Sequence, residues 1–312
     1  MNCNLLKDDD YIGIIQRADI RDSTKEPYIS NLRTIIRHTG QPLCNVINNA
    51  DVYYPVLKQK TNKVSTLLTL IKTILSIIKY SNIKQTYPDI FLKWYGYFKP
   101  LNEQIVKQRE TNIPTYEQSL SKLDWEKDVM VKYKELEKKA FGSIEHLTLA
   151  IYTLLPPRRQ RDYWKVVIIP AGTSDAEKSK MMEVDMSGYI DLSLKCPEIH
   201  IVAFKTNEYY KEWSKVLPDK FLKLLAINLR RYPRKYLFVT SSSSCYKNFK
   251  TFAIANNDML KGIFGNKNVS VNSLRHSAAT YVYYSRMTPL EKERYAYDMG
   301  HSVHMQRLYV QL

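Results

Sequence analysis

Between Val64 and Ile78 the apolar residues Val64, Leu67, Leu68, Ile71, Leu75 and Ile78 recur at intervals of three and four. That period matches the turn of an α-helix, so the stretch predicts a helix with one face committed to a core. Such a stripe needs other helices to cover it, and the neighbouring sequence supplies them. Ser23 or Thr24 can cap a helix with Pro27 near its first turn and Tyr28, Leu32, Ile35 and Ile36 on one face. Further helical pieces are expected from Asp89 to Tyr97 and from Leu101 to Arg109. The stretch from Val64 to Tyr80 comes nearest to a membrane span, but Lys72 and several Ser and Thr interrupt it, so no span is expected.

The pattern then changes. Residues 111–122, TNIPTYEQSLSK, are polar, contain Pro114 and have no period, which reads as a linker. Two helical stretches follow, LDWEKDVMVKYKELEKKA and SIEHLTLAIYTLL. After them WKVVII, IHIVAF, WSKVL and, later, YLFVT are short and rich in β-branched or aromatic residues, so they predict strands. Helical pattern returns at DKFLKLLAINLRR and dominates from Asn248 onward. The expected fold class is therefore mainly α with a small antiparallel β-sheet. The expected division is an N-terminal arm over 1–22, a helical domain over 23–110, a linker over 111–122 and a mixed domain over 123–312.

Charge narrows the function. The 312 residues carry 47 Lys and Arg against 31 Asp and Glu, a formal charge of +16. That excess fits a polyanionic partner, nucleic acid above all, or an anionic membrane surface. A membrane-surface protein would need a long basic amphipathic helix, whereas LEKKA and NLRRYPRK are short. The opening MNCNLLKDDDYIG has acids where a signal peptide needs basic and apolar residues, so an intracellular, DNA-associated protein is expected. Cysteines stand at 3, 44, 196 and 245, none at metal-ligand spacing, and no metal or cofactor is expected. From charge alone, Lys72, Lys107 and Arg109 in the first domain and Lys211, Arg230 and Arg231 in the second are candidates for the DNA backbone.

Four stretches of the second domain could carry chemistry. In LLPPRRQRDYWKV two prolines stop a helix beside Arg158, Arg159 and Arg161, whose forked donors match phosphate oxygens. In HIVAFKTNEYYKEWSKVLP two strands flank a polar turn, and Lys205 ends the first of them. In NSLRHSAATYVYYSRM, Asn272 or Ser273 can cap a helix, and Arg275 then sits where the macrodipole prefers acids, which is tolerable beside a bound anion; His276 reads as packed or structural. In YDMGHSVHMQRLYVQL, Gly300 ends a helix, His301 lies in the turn, Ser302 can cap the next helix and Tyr309 follows eight residues after His301. A basic turn or a hairpin lysine on its own is ordinarily a solvated surface feature.

The order of these pieces carries more than any one of them. An arginine at a helix end, a hairpin lysine, an arginine within LRHSAATY, MGHS and a following tyrosine resemble the tyrosine recombinase (phage integrase-type) family, over about 190 residues of its catalytic domain. The helical N-terminal domain is similar to that family's core-binding domain in size, place and helix content. PPRRQRDY, FKT and MGHSVHMQRLYV further resemble recombinase-like proteins of large DNA viruses and their mobile elements.

The resemblance implies a two-domain architecture and a catalytic set of Arg159, Lys205, Asn272, Arg275, His301 and Tyr309. Arg159 is followed by Asp162 as the family's acidic helix position, and Arg158 is its competitor for the first arginine and a DNA-contact candidate. It implies that Tyr309 attacks a DNA phosphodiester to form a 3′-phosphotyrosine, with the arginines and His301 on the phosphate and Lys205 as general acid. Asn272 stands where the family usually has histidine, and it cannot accept a proton. That departure leaves three readings: a working recombinase or integrase, a weakened or silent DNA-binding descendant, and a type IB topoisomerase-like strand transferase. Double-stranded DNA is the implied partner, with a tetramer on two duplexes as the assembly. Val310, Gln311 and Leu312 follow Tyr309 in this sequence, where many relatives carry a further helix, so a tyrosine acting within its own subunit is expected.

Overall fold

The computed structural model describes residues 7–111, 113–114, 116–203, 212–265 and 268–311. The chain divides into two compact units, Met1–Thr111 and Asn112–Leu312.

The first unit is helical: α1 (Asp8–Arg17), α2 (Asp22–Thr39), α3 (Leu43–Asn48), α4 (Ala50–Lys60), α5 (Val64–Tyr80), α6 (Ile83–Thr86) and α7 (Pro88–Glu110). The periodic stretch forms α5, and its Leu67, Leu68, Leu70, Ile71, Ile74, Ile77 and Ile78 make the centre of the core. α7 is one helix rather than the two pieces expected. It continues through Pro100 because Trp94 and Leu101, on either side of the proline, are both buried against the same core. The Trp94 indole N–H donates to the Ile47 carbonyl at 2.9 Å, which satisfies its polar edge inside the core.

Part of the stretch expected as an N-terminal arm is helical. Residues 8–17 form α1, whose Tyr11 and Ile15 are fully buried. Its first turn holds Asp8, Asp9 and Asp10, the sign that a helix N-terminus prefers. Asp8 also accepts the Leu43 backbone N–H at 2.7 Å and so joins α1 to the start of α3.

The second unit begins with a short helix, α8 (Tyr116–Leu120), inside the stretch read as a linker. A π-helical turn, Trp125–Met130, runs directly into α9 (Val131–Lys139), and α10 (Ile144–Thr153), buried along most of its length, passes through the core. α11 (Gln160–Tyr163) then leads to the sheet: β1 (Val166–Ile169), a crossover through α12 (Asp175–Met182), β2 (Gly188–Asp191), β3 (Glu198–Ile201) and β4 (Trp213–Val216). Helices α13 (Asp219–Arg231), α14 (Phe249–Ile263), α15 (Val271–Tyr284), α16 (Pro289–Asp298) and α17 (Val303–Tyr309) complete the unit. The fold is mainly helical with a small sheet.

The sheet is ordered β1-β2-β3-β4 and is mixed rather than purely antiparallel. β1 and β2 run parallel because α12 carries the chain back across, while the other pairs are antiparallel. The strand expected at YLFVT reduces to an isolated bridge between Tyr236 and Val167. The Ile168 N–H still donates to Lys235 and the Leu237 N–H to Val166, both at 2.8 Å, so the outer edge of β1 is covered. Arg234 explains why pairing goes no further. Its guanidinium donates to the Leu237 and Tyr232 carbonyls and to Asn228, which curls the segment onto α13.

Candidate active site

Three local structures bring the candidate residues together. The first is the start of α15. Ser270, not Asn272 or Ser273, is the N-cap, and it forms a capping box with Ser273. Asn272 is therefore inside the first turn, where its side chain is exposed. Arg275 falls one turn later, on the face turned to the interior, and is fully buried.

The second is the end of α16. The His301 N–H donates to the Ala296 carbonyl and the Gly300 N–H to Tyr297, the bonding of a Schellman ending. Gly300 takes φ 69°, which favours glycine. A Cβ at Gly300 would lie 3.3 Å from both Arg158 NH2 and Arg159 NH1, so the two arginines are packed against this turn. The turn delivers His301 into the interior at 3% exposure. Ser302 then caps α17 by accepting from the Met305 N–H, and that short helix carries Tyr309 back over α15.

The third is the double arginine before α11. Arg158 is 1% exposed, with Nε on the Asp162 carboxylate at 3.0 Å, NH1 on the Asp298 carbonyl at 2.9 Å and its guanidinium 4.5 Å over the Trp213 ring. It is an internal tie, buried where a surface contact to DNA was expected. Asp162, which the sequence pairs with Arg159, is instead the partner of Arg158. Arg159 is half-buried, and its NH1 donates to the Gly300 carbonyl at 3.3 Å.

At the centre, Arg275 NH1 donates to the carbonyls of Pro157 at 2.7 Å and Met299 at 3.1 Å. Its NH2 donates to Nε2 of His301. The guanidinium stands 5.4 Å over the Tyr309 ring. Its Nε is buried and has no hydrogen-bond partner among the described residues. Burial pushes this arginine below its ordinary value, the nearby Tyr309 works the other way, and Arg159 adds like-charge repulsion. Two cations thus lie near each other, and one of them keeps an unused donor. A buried charge held mostly by neutral carbonyls is costly, and an entering anion relieves that cost.

His301 is set by its neighbours. Because Nε2 accepts from Arg275, the imidazole proton resides on Nδ1 and is donated to Gln306 Oε1 at 3.0 Å. The Gln306 amide N–H in turn faces Met299 Sδ at 3.5 Å, which orients its oxygen toward the ring. Burial first, and Arg275 second, push His301 down to about 3, so the resting imidazole is neutral.

Tyr309 lies between two imidazoles. Its ring stacks on His276 at 4.5 Å and 18°, and tilts over His301 at 4.2 Å. Sequence reasoning took His276 as packed; what it packs on is Tyr309. It missed Gln306 altogether, because a glutamine five residues after a histidine carries no sequence signal of its own. It also missed Asp298, which accepts from the Trp213 indole at 2.9 Å, pairs with Lys215 and so fastens β4 to the end of α16.

The remaining candidates stand apart from this cluster. Lys205 and Lys211 lie outside the described residues. Lys72 is exposed on α5, its ammonium 5.6 Å over the Phe98 ring, and Lys107 and Arg109 are exposed in the last turn of α7. Arg230 is exposed at the end of α13, and its neighbour Arg231 donates to the Phe141 carbonyl at 2.7 Å, a bond that ties α13 to the α9–α10 turn. Among the described residues no group of His, Cys, Asp or Glu side chains could hold a metal ion, and no helix is long and apolar enough to cross a membrane.

No family model matches the sequence, and no curated protein matches it. Among solved structures, a crystal structure of XerA recombinase aligns over 98% of this chain and 94% of that one, at 13% identity and a TM-score of 0.40. Similarity at that level says nothing about chemistry.

Proposed function

We propose that this chain is a tyrosine-type site-specific DNA recombinase that cuts and rejoins strands through a 3′-phosphotyrosine. One observation carries the reading: a buried Arg275 with an unused Nε donor contacts His301 and stands over the ring of Tyr309. The motif resemblance supplies the roles, and the basic charge of +16 supplies the polyanionic substrate.

In this mechanism the Tyr309 hydroxyl gives its proton to solvent as its oxygen attacks the phosphorus of a DNA phosphodiester. The bond from phosphorus to the 5′-oxygen breaks, and Lys205 protonates that oxygen as it leaves. A 5′-hydroxyl of another strand later reverses the step, so the bond energy is conserved without a nucleotide cofactor. Charge grows on the non-bridging oxygens, where Arg275 through Nε and Arg159 stabilise it without reorganising. Asp162 is already engaged by Arg158, which supports Arg159 as the first catalytic arginine. The approach of a phosphate offers Arg275 a stronger acceptor than His301 Nε2, and its negative charge favours a protonated His301 that can donate to the phosphate. Asn272, exposed at the rim of α15, can donate a hydrogen bond but takes no proton.

The same reading assigns the first unit to duplex binding through Lys72, Lys107 and Arg109, and implies a tetramer on two duplexes. The setting it implies is a virus of the large DNA class or its mobile elements. The rival reading is a silent DNA-binding descendant, favoured by the loss of an acceptor at Asn272.

A suicide-substrate assay separates the two. Nicked duplexes are incubated with wild-type protein and with Tyr309→Phe, and a covalent band surviving detergent is scored. The proposal expects a band that the mutant lacks. Duplex binding that weakens with salt but yields no band, even after Asn272→His, would establish the silent reading.

A further inference from the structure

The chain beyond α17 is held by α15. The Tyr309 carbonyl accepts from His276 Nδ1 at 2.8 Å, and the His276 imidazole stacks on the Tyr309 phenol. One turn further along α15, Thr280 Oγ1 accepts the Gln311 backbone N–H at 2.9 Å while donating to the His276 carbonyl at 2.8 Å. Val310 and Gln311 are 2% and 8% exposed. Residues 276 and 280 are neighbours on one helix face, so they form a single ledge. The helix that presents Arg275 therefore also carries the seat of the tyrosine.

Each contact removes a different freedom. The two main-chain bonds fix where the backbone of residues 309 and 311 lies. The stacked imidazole fixes the plane of the phenol. A nucleophile so restrained meets the phosphate with less orientational entropy to lose. A tail without these contacts could rotate away or reach a neighbouring subunit.

We propose that His276 and Thr280 are positioning residues that latch residues 309–311 onto α15 of the same chain and so hold the Tyr309 phenol in place for attack. The inference rests on Tyr309 being the nucleophile, but the latch itself can be read without catalysis.

Two measurements on the full chain test it. The first is hydrogen exchange of the amides of residues 310 and 311 without DNA, in wild type, His276→Phe, His276→Asn and Thr280→Val, each checked for an unchanged thermal midpoint. His276→Phe keeps a stacking ring and removes the donor, whereas His276→Asn keeps a donor and removes the ring. Thr280→Val removes the hydroxyl at nearly constant shape and serves if the histidine variants misfold. Loss of one net hydrogen bond should raise exchange by about five- to tenfold in His276→Phe and Thr280→Val, with partial rescue in His276→Asn. Exchange unchanged in both would overturn the latch.

The second mixes two inactive copies on a nicked duplex, Tyr309→Phe with Arg275 intact and Arg275→Ala with Tyr309 intact. Attack within one subunit gives no covalent adduct from the mixture. An adduct would show that the tyrosine is delivered to a neighbour and would refute the proposal. If the wild-type protein forms no adduct on any duplex, the recombinase reading fails while hydrogen exchange still decides the latch.

Discussion

The guanidinium of Arg275 donates to Nε2 of His301, and that bond fixes both the charge and the tautomer of the imidazole. The proton must sit on Nδ1, where Gln306 Oε1 receives it. In the resting site, then, His301 is an acceptor turned toward a cation. Under the proposed mechanism it becomes a donor to phosphate when the anion enters and takes Arg275 for itself.

That relationship has a spectroscopic consequence. In the free protein the His301 ring should show no titration between pH 5 and 8 by NMR, because burial and Arg275 hold it near 3. Its ¹⁵N shifts should report the Nδ1–H form, and Gln306→Leu should leave that tautomer in place, since Arg275 still donates to Nε2. A His301 midpoint near the ordinary value of about 6.5 contradicts this arrangement.

Arg158 and Arg159 should separate by what they are for. Arg158→Ala leaves the Asp162 carboxylate buried without its partner and should cost about 3–5 kcal/mol in urea unfolding. Arg159 is half-buried with a single long bond, to Gly300, among the described residues, so Arg159→Ala should change stability by less than about 1 kcal/mol. Its effect should appear in covalent adduct formation, lowered by about 10²-fold or more with duplex affinity little changed. The reverse pattern would exchange the two roles.

Stability should fall on mild acidification. Burial lowers His146, His276 and His301 alike. Unfolded histidine titrates near about 6.5, so between that value and each folded value the unfolded chain binds more protons, and stability rises with pH there. The contribution is complete above pH ~6.5 and is lost as pH drops. For His301 alone the slope approaches about 1.4 kcal/mol per pH unit, or about 2 kcal/mol by pH 5. Urea midpoints at pH 7.5, 6 and 5 measure it, and His301→Gln should flatten the curve. Equal midpoints at pH 5 and 7.5 would show that these imidazoles are not held neutral.

Gly300→Ala should be harmful out of proportion to its size. The position requires φ 69°, and the added methyl would press on both Arg158 and Arg159 at 3.3 Å. Left-handed backbone at a non-glycine residue costs about 1–2 kcal/mol, and a thermal melt should show a loss of at least that order. Adduct formation by the folded fraction should fall as well, since the turn that aims His301 is the one disturbed. Wild-type stability in this variant contradicts the packing of the turn against the arginines.

What the sequence made legible follows from how local each signal is. The three- and four-residue period of α5 and the Gly300–His301–Ser302 turn depend on neighbours a few residues away, and both can be read from the chain directly. The convergence of Arg275, His301 and Tyr309 was accessible only through the order of motifs, because no local rule brings residue 275 to residue 301. Less local features were lost. α7 runs through Pro100 because a buried core on both sides outweighs the break. The YLFVT strand fails because Arg234, whose three bonds are tertiary, bends it away. Which of Arg158 and Arg159 meets Asp162 is likewise set by tertiary packing, and adjacent arginines before a short helix do not reveal it.

The central claim is that Tyr309 becomes esterified to DNA, and the most direct measurement is to find the ester. Wild-type protein trapped on a nicked duplex would be digested with protease and nuclease, and the nucleotide-linked peptide sequenced by mass spectrometry. The expected result is a 3′-phosphate ester on Tyr309 in the peptide that follows the MGHS turn, absent from Tyr309→Phe. A nucleotide on another of the 24 tyrosines, or no linked peptide from protein demonstrably bound to duplex, would contradict it.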